Sequence, residues 1–383
     1  MPPLFDRIGA MVTEPLRPGQ ASSRPSTVVI ADDSVVVRGL FARWLGESGR
    51  FHVIGVAGDG EGAIDHAERH HPDIIVLDLD MPVLDGLEAL PRILKQSPKT
   101  AVLLTTTLSE RNARLALQCM SMGAVDVLPK PQTRSGLTLS LDFRTDLLNK
   151  LENIAQSRAR HGELPAEAVQ TVPAAASGAA DLRSLVTVMP RYLVIGASTG
   201  GPRAVARVLG DLGDAASQLA ILIVQHMPPL FTASFADQIA LQLGMPAREP
   251  HDGERLTRGT IYIAPGGRHL GVDRKLGHIV ASVSDSPPVN FCRPAVDVLF
   301  KEAARHLGPA ALGLVMTGMG SDGTEGAAAL RRTGAAIIAQ DEPSSTVWGM
   351  PGSVVKAQLA SAVLPLAGIG PAIRSLLSGS PPA

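Results

Sequence analysis

The sequence lacks the features that mark secreted, membrane-spanning or disulfide-stabilised proteins. Its 383 residues include two cysteines, Cys119 and Cys292, which lie far apart and have no metal-binding spacing. Neither a disulfide framework nor a structural zinc site is therefore expected. No apolar run reaches the ~18–20 residues of a transmembrane helix, and no apolar secretory segment is seen near the N-terminus. We therefore expect a cytoplasmic protein without membrane insertion.

Aromatic residues and net charge are also scarce. Aromatics make up 3% of the chain, and 35 basic residues nearly balance 36 acidic ones, which leaves a formal net charge of -1. No global basic field is present to hold nucleic acid or an anionic membrane, so neither partner is expected. Hydrophobic residues make up 45% of the chain and are mainly aliphatic. This composition suits buried parallel strands flanked by helices.

The length of the chain and its alternating apolar and amphipathic segments predict two α/β domains. We assign residues 1–25 to a disordered tail, 26–150 to a first domain, 151–188 to a small-residue linker and 189–378 to a second domain. A helix is expected over about 137–155. Buried strands are predicted at 27–31, 74–77, 101–104, 125–128, 192–195, 219–224, 260–264, 312–316 and 335–339. An antiparallel hairpin is expected at 269–284, with its turn near Leu276 and Gly277.

Acidic residues follow two predicted strands of the first domain. Asp32 and Asp33 follow the first strand, and Asp78 follows the strand at 74–77. Because the carboxyl ends of parallel strands meet at one edge of a sheet, these acids should converge. Mg²⁺, which prefers oxygen ligands, would relieve their mutual repulsion. Two further strand ends add the hydroxyl and ammonium groups that a phosphoryl group on a carboxylate would need, at Thr105–Thr107 and Lys130.

In this set of residues the chain resembles the receiver domain of response regulators, over about residues 27–145. The resemblance lies in Asp32-Asp33-Ser34, Val76–Pro82, Asp85-Gly86, Thr106 and Lys130-Pro131. It implies a flavodoxin-like parallel sheet of five strands and a phosphodonor that is a chemotaxis-type histidine kinase. It further implies that Asp78 is the phosphoacceptor and that Thr106 and Lys130 are switch residues. The implied Mg²⁺ ligands are Asp33, Asp78 and the main-chain carbonyl of Asp80, with Asp32 close by.

A glycine-rich segment, Gly196–Pro202, opens the second domain between a predicted strand and a helix. It fits the G-x-S-x-G pattern, in which a sharp turn exposes a nucleophilic serine, here Ser198. The segment is also similar to the cofactor turn of short-chain dehydrogenases. Those enzymes are expected to carry a Tyr with Lys four residues later, whereas Tyr192 and Tyr262 are both followed at that spacing by Gly. The serine interpretation is therefore favoured.

A nucleophilic serine needs a base and an acid that orients the base. His226 follows the predicted strand at 219–224, so it should lie at the same sheet edge as Ser198. Asp322 lies shortly beyond the strand at 312–316, and Asp341 ends the next strand. Position along the chain does not decide which of these two acids orients the base.

The second domain resembles the catalytic domain of the CheB chemotaxis methylesterases over about residues 190–375. Five segments carry this resemblance: Gly196–Pro202, Gln225–Pro228, Arg293–Phe300, Met316–Gly323 and Gly349–Pro351. It implies a Ser198–His226–Asp322 triad, with Thr199 and the main-chain amide of Met319 near the oxyanion. The fold would be a doubly wound, mostly parallel α/β domain, with no cofactor in the esterase site.

The resemblance also implies the reaction and its control. The substrate would be glutamate γ-methyl esters on the cytoplasmic helices of chemoreceptors, with deamidation of selected glutamines as a second activity. The unphosphorylated receiver would lie across the mouth of the Ser198 site and would loosen when Asp78 is phosphorylated. Two alternatives are a receiver-regulated serine esterase with a non-receptor substrate and a docking module with an inactive serine domain. Since Ser198 and His226 are both present, the second alternative is disfavoured.

Overall fold

A computed structural model of the chain describes residues 24–131, 141–162 and 182–378. They form two α/β domains, as predicted. Residues 1–23 of the predicted tail and 163–181 of the predicted linker lie outside the described residues, so these two assignments remain predictions. Among the described residues, no helix combines the length and apolar character required to cross a bilayer.

The first domain alternates strands and helices along the chain. Its strands are β1 (Ser26–Ala31), β2 (Phe51–Ala57), β3 (Ile74–Asp78), β4 (Ala101–Thr107) and β5 (Asp126–Lys130). Its helices are α1 (Val35–Ser48), α2 (Gly60–His70), α3 (Gly86–Gln96), α4 (Glu110–Met122) and α5 (Leu141–Gly162). The parallel sheet has the order β2-β1-β3-β4-β5, so the expected flavodoxin-like arrangement is confirmed.

Side-chain caps set the starts of the first four helices. Each begins after a Ser or Asp whose side chain accepts a hydrogen bond from the backbone N–H three residues later: Ser34, Asp59, Asp85 and Ser109. Helix α5 runs to Gly162, seven residues beyond the end expected from the sequence. The buried side chains of Leu147, Leu151 and Ile154 form its apolar face within the expected range. The expected start at residues 137–140 lies outside the described residues.

The second domain is built on a parallel sheet of seven strands. Its strands in that sheet are β6 (Tyr192–Ala197), β7 (Ala220–Gln225), β8 (Ala247–Arg248), β9 (Thr260–Ile263), β12 (Ala311–Val315), β13 (Ala336–Gln340) and β14 (Ala362–Leu364), and β10 (His269–Lys275) and β11 (His278–Ser284) form a separate hairpin. Its helices are α6 (Leu182–Leu185), α7 (Gly201–Leu212), α8 (Phe231–Leu243), α9 (Val296–His306), α10 (Thr324–Arg332), α11 (Met350–Lys356) and α12 (Leu366–Ser378). The predicted mostly parallel α/β architecture is confirmed.

The strand order β14-β13-β12-β6-β7-β9-β8 places β6 between β7 and β12. The chain therefore leaves β6 in one direction and later returns to its other side, and a crevice opens at the carboxyl ends of strands where the order reverses in this way. The predicted hairpin is also confirmed. Leu276 and Gly277 both have positive φ, at 49° and 79°, and form its two-residue turn.

The two domains contact each other through defined elements. Helix α4 of the first domain packs against α7 and α8 of the second. The start of β5 meets the loop after β6, since the N–H of Gly200 donates to the carbonyl of Val125 at 3.2 Å. The first domain therefore lies next to the carboxyl edge of the second domain's sheet.

Candidate functional site

The first domain gathers its predicted acids around one lysine. Asp32 and Asp78 are 1% and 2% exposed, and both lie at the carboxyl ends of neighbouring strands. The Nζ of Lys130 lies 2.6 Å from an oxygen of each carboxylate. Asp33, on the adjacent turn, is exposed. The structure thus brings the acid and amine groups of the expected phosphoryl site together.

Burial sets the charge balance of this cluster. It raises the pKa of the Asp78 carboxyl to about 6, although the ammonium of Lys130 opposes the shift. Burial alone would lower the pKa of Lys130, but the nearby carboxylates of Asp78 and Asp32 outweigh it and raise the pKa. At neutral pH Asp78 is therefore ionised and held by a cation, as a carboxylate nucleophile requires.

The same cluster has the donor set of a magnesium site. Ligand atoms of Asp32, Asp33 and Asp78 all lie within 4.8 Å of one another. The Oδ2 atom of Asp32 is buried and lies 2.6 Å from the Nζ of Lys130, so this oxygen already faces a positive charge. Three carboxylates at this spacing fit Mg²⁺. The Asp80 side chain points elsewhere, because its carboxylate accepts a hydrogen bond from Asn112 Nδ2 at 2.6 Å.

The three threonines at the end of β4 differ in environment. Thr105 and Thr106 are fully buried, whereas Thr107 is exposed. The hydroxyl of Thr106, the predicted switch residue, has only a long contact of 3.5 Å with the carbonyl of Thr107. The hydroxyl of Thr105 has no partner among the described residues. The role of Thr106 remains a prediction.

Ser198 follows β6 directly, at the crevice where the strand order reverses. Its N–H donates to the carbonyl of Thr317 at 3.0 Å, and its own carbonyl accepts from Gln225 Nε2 at 2.8 Å. A Cβ atom added to Gly318 would lie 2.8 Å from the Cβ of Ser198. Only glycine therefore fits beside this serine, which the surrounding backbone fixes in place.

His226 and Asp322 follow β7 and β12, the strands on either side of the strand that precedes Ser198. His226 follows β7, and its N–H donates to the carbonyl of Ala197 at 3.1 Å. Asp322 lies in the loop after β12, and its Oδ2 is 2.9 Å from the Nε2 of His226. The structure therefore brings the predicted base and acid into hydrogen-bond contact.

Asp322 is held by a dense set of donors. It is 3% exposed and accepts hydrogen bonds from the amides of Val296, Asp297 and Gly323 at 2.6, 3.1 and 3.0 Å. Burial would raise the pKa of Asp322, but the contact with His226 and these amides outweigh it and lower the pKa. Asp322 is therefore a fixed anion that orients the imidazole.

The charge on Asp322 acts in turn on His226. Burial alone would lower the pKa of His226, but hydrogen bonds with Asp322 and Cys292 raise it to about 9. The competing acid, Asp341, does not reach the histidine, because its carboxylate accepts a hydrogen bond from the amide of Ser344 at 3.1 Å. The structure thus shows which of the two candidate acids contacts His226, a choice that position along the chain did not decide.

Two residues without an assigned role in the sequence analysis also bind this network. Asn290 Nδ2 lies 3.0 Å from Asp322 and 2.8 Å from Asp297, so one amide bridges two buried carboxylates. Cys292 lies on the other side of the imidazole, with its Sγ 3.7 Å from the Nδ1 of His226. Their only sequence signal is proximity to the segment Arg293–Phe300, which carries part of the resemblance.

The residues expected near the oxyanion contact the first domain. The hydroxyl of Thr199, which is 3% exposed, donates to Asp126 at 2.6 Å. The side-chain amide of Asn153 on α5 contacts the sulfur of Met319 at 2.8 Å. Asp126 was missed as a functional residue, although a charged residue inside the apolar run at 125–128 signals a buried partner.

Sequence comparisons match both domains. A family described as CheB methylesterase matches residues 193–373, and a family described as response regulator receiver domain matches residues 28–142. The chain is 41% identical, over 94% of its length and 96% of the relative's, to a protein of Rhodopseudomonas palustris named protein-glutamate methylesterase/protein-glutamine glutaminase of group 2 operon. It is 40% identical to a protein-glutamate methylesterase/protein-glutamine glutaminase of Azospirillum brasilense, over 94% of this chain and 95% of that protein.

Solved structures resemble each domain separately. The CheB methylesterase catalytic domain of Thermotoga maritima is 36% identical and covers 49% of this chain and 100% of its own, with a TM-score of 0.47. The response regulator domain of Thermotoga maritima CheB is 33% identical and covers 36% of this chain and 98% of its own, with a TM-score of 0.31.

Proposed function

The chain belongs to the CheB methylesterase family, and from this we propose that it hydrolyses glutamate γ-methyl esters, and deamidates glutamines, on chemoreceptors. The observation that carries the proposal is the position of Ser198, His226 and Asp322 in the loops that follow three adjacent strands, with His226 Nε2 and Asp322 Oδ2 2.9 Å apart. An ordered imidazole–carboxylate pair next to a serine on a sharp turn suits acyl transfer. The free glutamate side chains that ester hydrolysis leaves on the receptor would change its signalling, which is the basis of sensory adaptation.

In the proposed reaction the two ring nitrogens of His226 have different roles. Asp322 holds Nε2, which leaves Nδ1 of His226 to take the proton from the Ser198 hydroxyl. The serine oxygen attacks the ester carbonyl, and His226 returns the proton to the leaving methoxide, which departs as methanol. Water, deprotonated by the same imidazole, then attacks the acyl-serine and releases the glutamate carboxyl group. With a glutamine substrate the leaving group is ammonia, and the other steps are unchanged.

The developing oxyanion would be stabilised by Thr199 and by the main-chain amide of Met319. Both residues flank the serine, and oxyanion donors of this kind contribute ~100- to 1000-fold to rate. The Thr199 hydroxyl is bonded to Asp126 of the first domain. In this arrangement it is therefore unable to donate to an oxyanion at the same time.

This contact suggests how the first domain restrains the second. Strand β5 carries Asp126 at one end and Lys130 at the other, about 13 Å apart in an extended strand. Lys130 binds Asp78, the proposed phosphoacceptor. Phosphorylation would draw Lys130 and Thr106 toward the new phosphoryl oxygens, shift β5 and release Thr199 from Asp126. Mg²⁺, held by Asp33, Asp78 and the main-chain carbonyl of Asp80 with Asp32 close by, would neutralise phosphoryl charge.

The partners follow from these two chemistries. The first domain would receive its phosphoryl group from a histidine kinase of the chemotaxis type. The second would act on glutamate side chains of the receptors' cytoplasmic helices, so we place the reaction in the cytoplasm. Family membership and the acid cluster around Lys130 support both assignments.

The test is release of labelled methanol from methylated receptor membranes, with and without a small phosphodonor and Mg²⁺. Wild type is compared with Ser198→Ala and Asp78→Asn. We expect release that rises with phosphodonor in wild type, falls by ~10⁴-fold or more in Ser198→Ala and does not respond to phosphodonor in Asp78→Asn. Release from small esters but from no receptor would instead indicate a serine esterase with a different substrate.

A further inference from the structure

Cys292 places a thiol against the catalytic imidazole, and the reaction described above does not use it. Its Sγ lies 3.7 Å from the Nδ1 of His226, the nitrogen that must take the serine proton. Both side chains are partly exposed: that of His226 is 14% exposed, and Cys292 is of intermediate exposure. A small solute can therefore reach the space between sulfur and nitrogen.

The separation of these two atoms suits a shared metal ion. Zinc binds sulfur at about 2.3 Å and imidazole nitrogen at about 2.0–2.1 Å, and tetrahedral angles then place the two ligands about 3.6 Å apart. The observed distance is 3.7 Å. Ligand atoms of His226, Cys292 and Asp322 also lie within 4.8 Å of one another. Little movement is needed for the two side chains to bind one ion.

Asp322 prepares the histidine for this role. Histidines that bind zinc usually donate their other ring N–H to a carboxylate, which fixes the ring and raises the basicity of the ligating nitrogen. The contact between Asp322 Oδ2 and His226 Nε2, at 2.9 Å, has this arrangement. The five hydrogen bonds to Asp322 occupy its oxygens, so Asp322 orients the ring and the remaining zinc positions fall to water.

We propose that His226 and Cys292 form an inhibitory Zn²⁺ site in the esterase centre. This inference rests on the proposed function of His226 as the base. On binding, the Cys292 thiol and the protonated ring of His226 each release a proton to solvent, and the sulfur and the Nδ1 of His226 each donate an electron pair to the metal. An imidazole whose Nδ1 is bound to zinc is unable to take the proton of Ser198. Zinc therefore stops ester hydrolysis reversibly.

The binding test uses Co²⁺ as a spectroscopic substitute for zinc and does not depend on activity. A thiolate bound to Co²⁺ gives a charge-transfer band in the near ultraviolet. The acid cluster of the first domain offers only oxygen atoms and gives no such band, and Cys119 is fully buried. In the full-length protein with excess Mg²⁺, we expect the band in wild type and in His278→Gln, a control at an exposed hairpin histidine, but not in Cys292→Ser or His226→Ala.

The inhibition test titrates Zn²⁺ against methanol release by the phosphodonor-activated enzyme, each variant being normalised to its own zinc-free rate. Loss of a residue that supports a metal ligand lowers metal affinity by ~10-fold or more, and loss of a direct ligand should lower the affinity for zinc at least as much. The half-inhibiting Zn²⁺ concentration should therefore be ~10-fold or more higher in Cys292→Ser, and EDTA should restore wild-type activity. Equal zinc sensitivity in the two proteins, or a cobalt spectrum without a sulfur band, overturns the proposal. A sulfur band in a protein that releases no methanol would instead leave the metal site standing and refute the methylesterase function.

Discussion

Removing the hydrogen bond between Asp126 and Thr199 is the strongest test of how the first domain restrains the second. Asp126→Ala removes the acceptor of a buried hydrogen bond of 2.6 Å between the domains. A hydrogen bond to a charged group contributes about 1.5–3 kcal/mol, and each 1.4 kcal/mol is tenfold in an equilibrium constant. The population with Thr199 released should therefore increase by about 10- to 150-fold, with the rate of the phosphorylated enzyme as its ceiling.

The assay is methanol release from methylated receptor membranes without phosphodonor. Asp126 also binds Lys150, so Lys150→Gln is the matched control: it removes that ion pair and keeps the acceptor for Thr199. We expect the basal rate to rise in Asp126→Ala and to change little in Lys150→Gln. Asp126→Asn keeps an acceptor oxygen without the charge and should fall between them.

One result would refute the reasoning. If the basal rate of Asp126→Ala stays within about twofold of wild type, while thermal unfolding shows an intact first domain and phosphodonor still activates, the Thr199 contact does not restrain the enzyme. Control would then depend on other contacts of the interface, such as the packing of α4 against α7 and α8.

Three further predictions concern the esterase centre. Asn290→Ala removes the amide that bridges Asp297 and Asp322. The carboxylate of Asp322 should then lose its exact position, which should lower kcat by up to ~100-fold with little change in KM. Steady-state kinetics at saturating substrate check this, and an unchanged kcat contradicts it. Because the pKa of His226 is raised to about 9 and only the neutral imidazole acts as a base, activity of the activated enzyme should rise with pH up to about 9 and be lost as pH falls below it. Asp322→Asn, which removes the charge that favours the protonated ring, should move the imidazole titration followed by NMR to lower pH; an unmoved titration would exclude Asp322 as a cause of the shift. Gly318→Ala places a Cβ atom 2.8 Å from the Cβ of Ser198, so it should destabilise the second domain by about 1–3 kcal/mol and abolish methanol release, while phosphorylation at Asp78 proceeds as in wild type.

The sequence by itself determined the architecture, because the physical signals of architecture are local. Apolar runs of strand length between amphipathic segments predicted parallel sheets, and turn chemistry at Leu276 and Gly277 predicted the hairpin. Short or exposed strands carry weaker signals, so β2, β8 and β14 were not predicted. In β2 the burial pattern does not follow a regular apolar run, and β8 and β14 contain two and three residues.

The sequence also supplied the candidate residues of both sites. The carboxyl ends of neighbouring parallel strands share an edge, so residues that directly follow such strands can be grouped without coordinates. This rule grouped Asp32, Asp78 and Lys130 at the carboxyl edge of the first domain's sheet. It also grouped Ser198 with His226 at the carboxyl edge of the second domain's sheet. Resemblance to known families, rather than position, selected Asp322 over Asp341.

Tertiary structure alone decided the contacts that depend on three-dimensional direction. Only the fold shows that Asp341 turns to Ser344 while Asp322 reaches His226, since both acids follow strands of the same sheet. Asn290 and Cys292 lie in a loop far along the chain from His226, and no periodicity links them to it. The bond from Asp126 to Thr199 joins two domains, and local sequence cannot specify a contact that forms only when two separately folded sheets pack together.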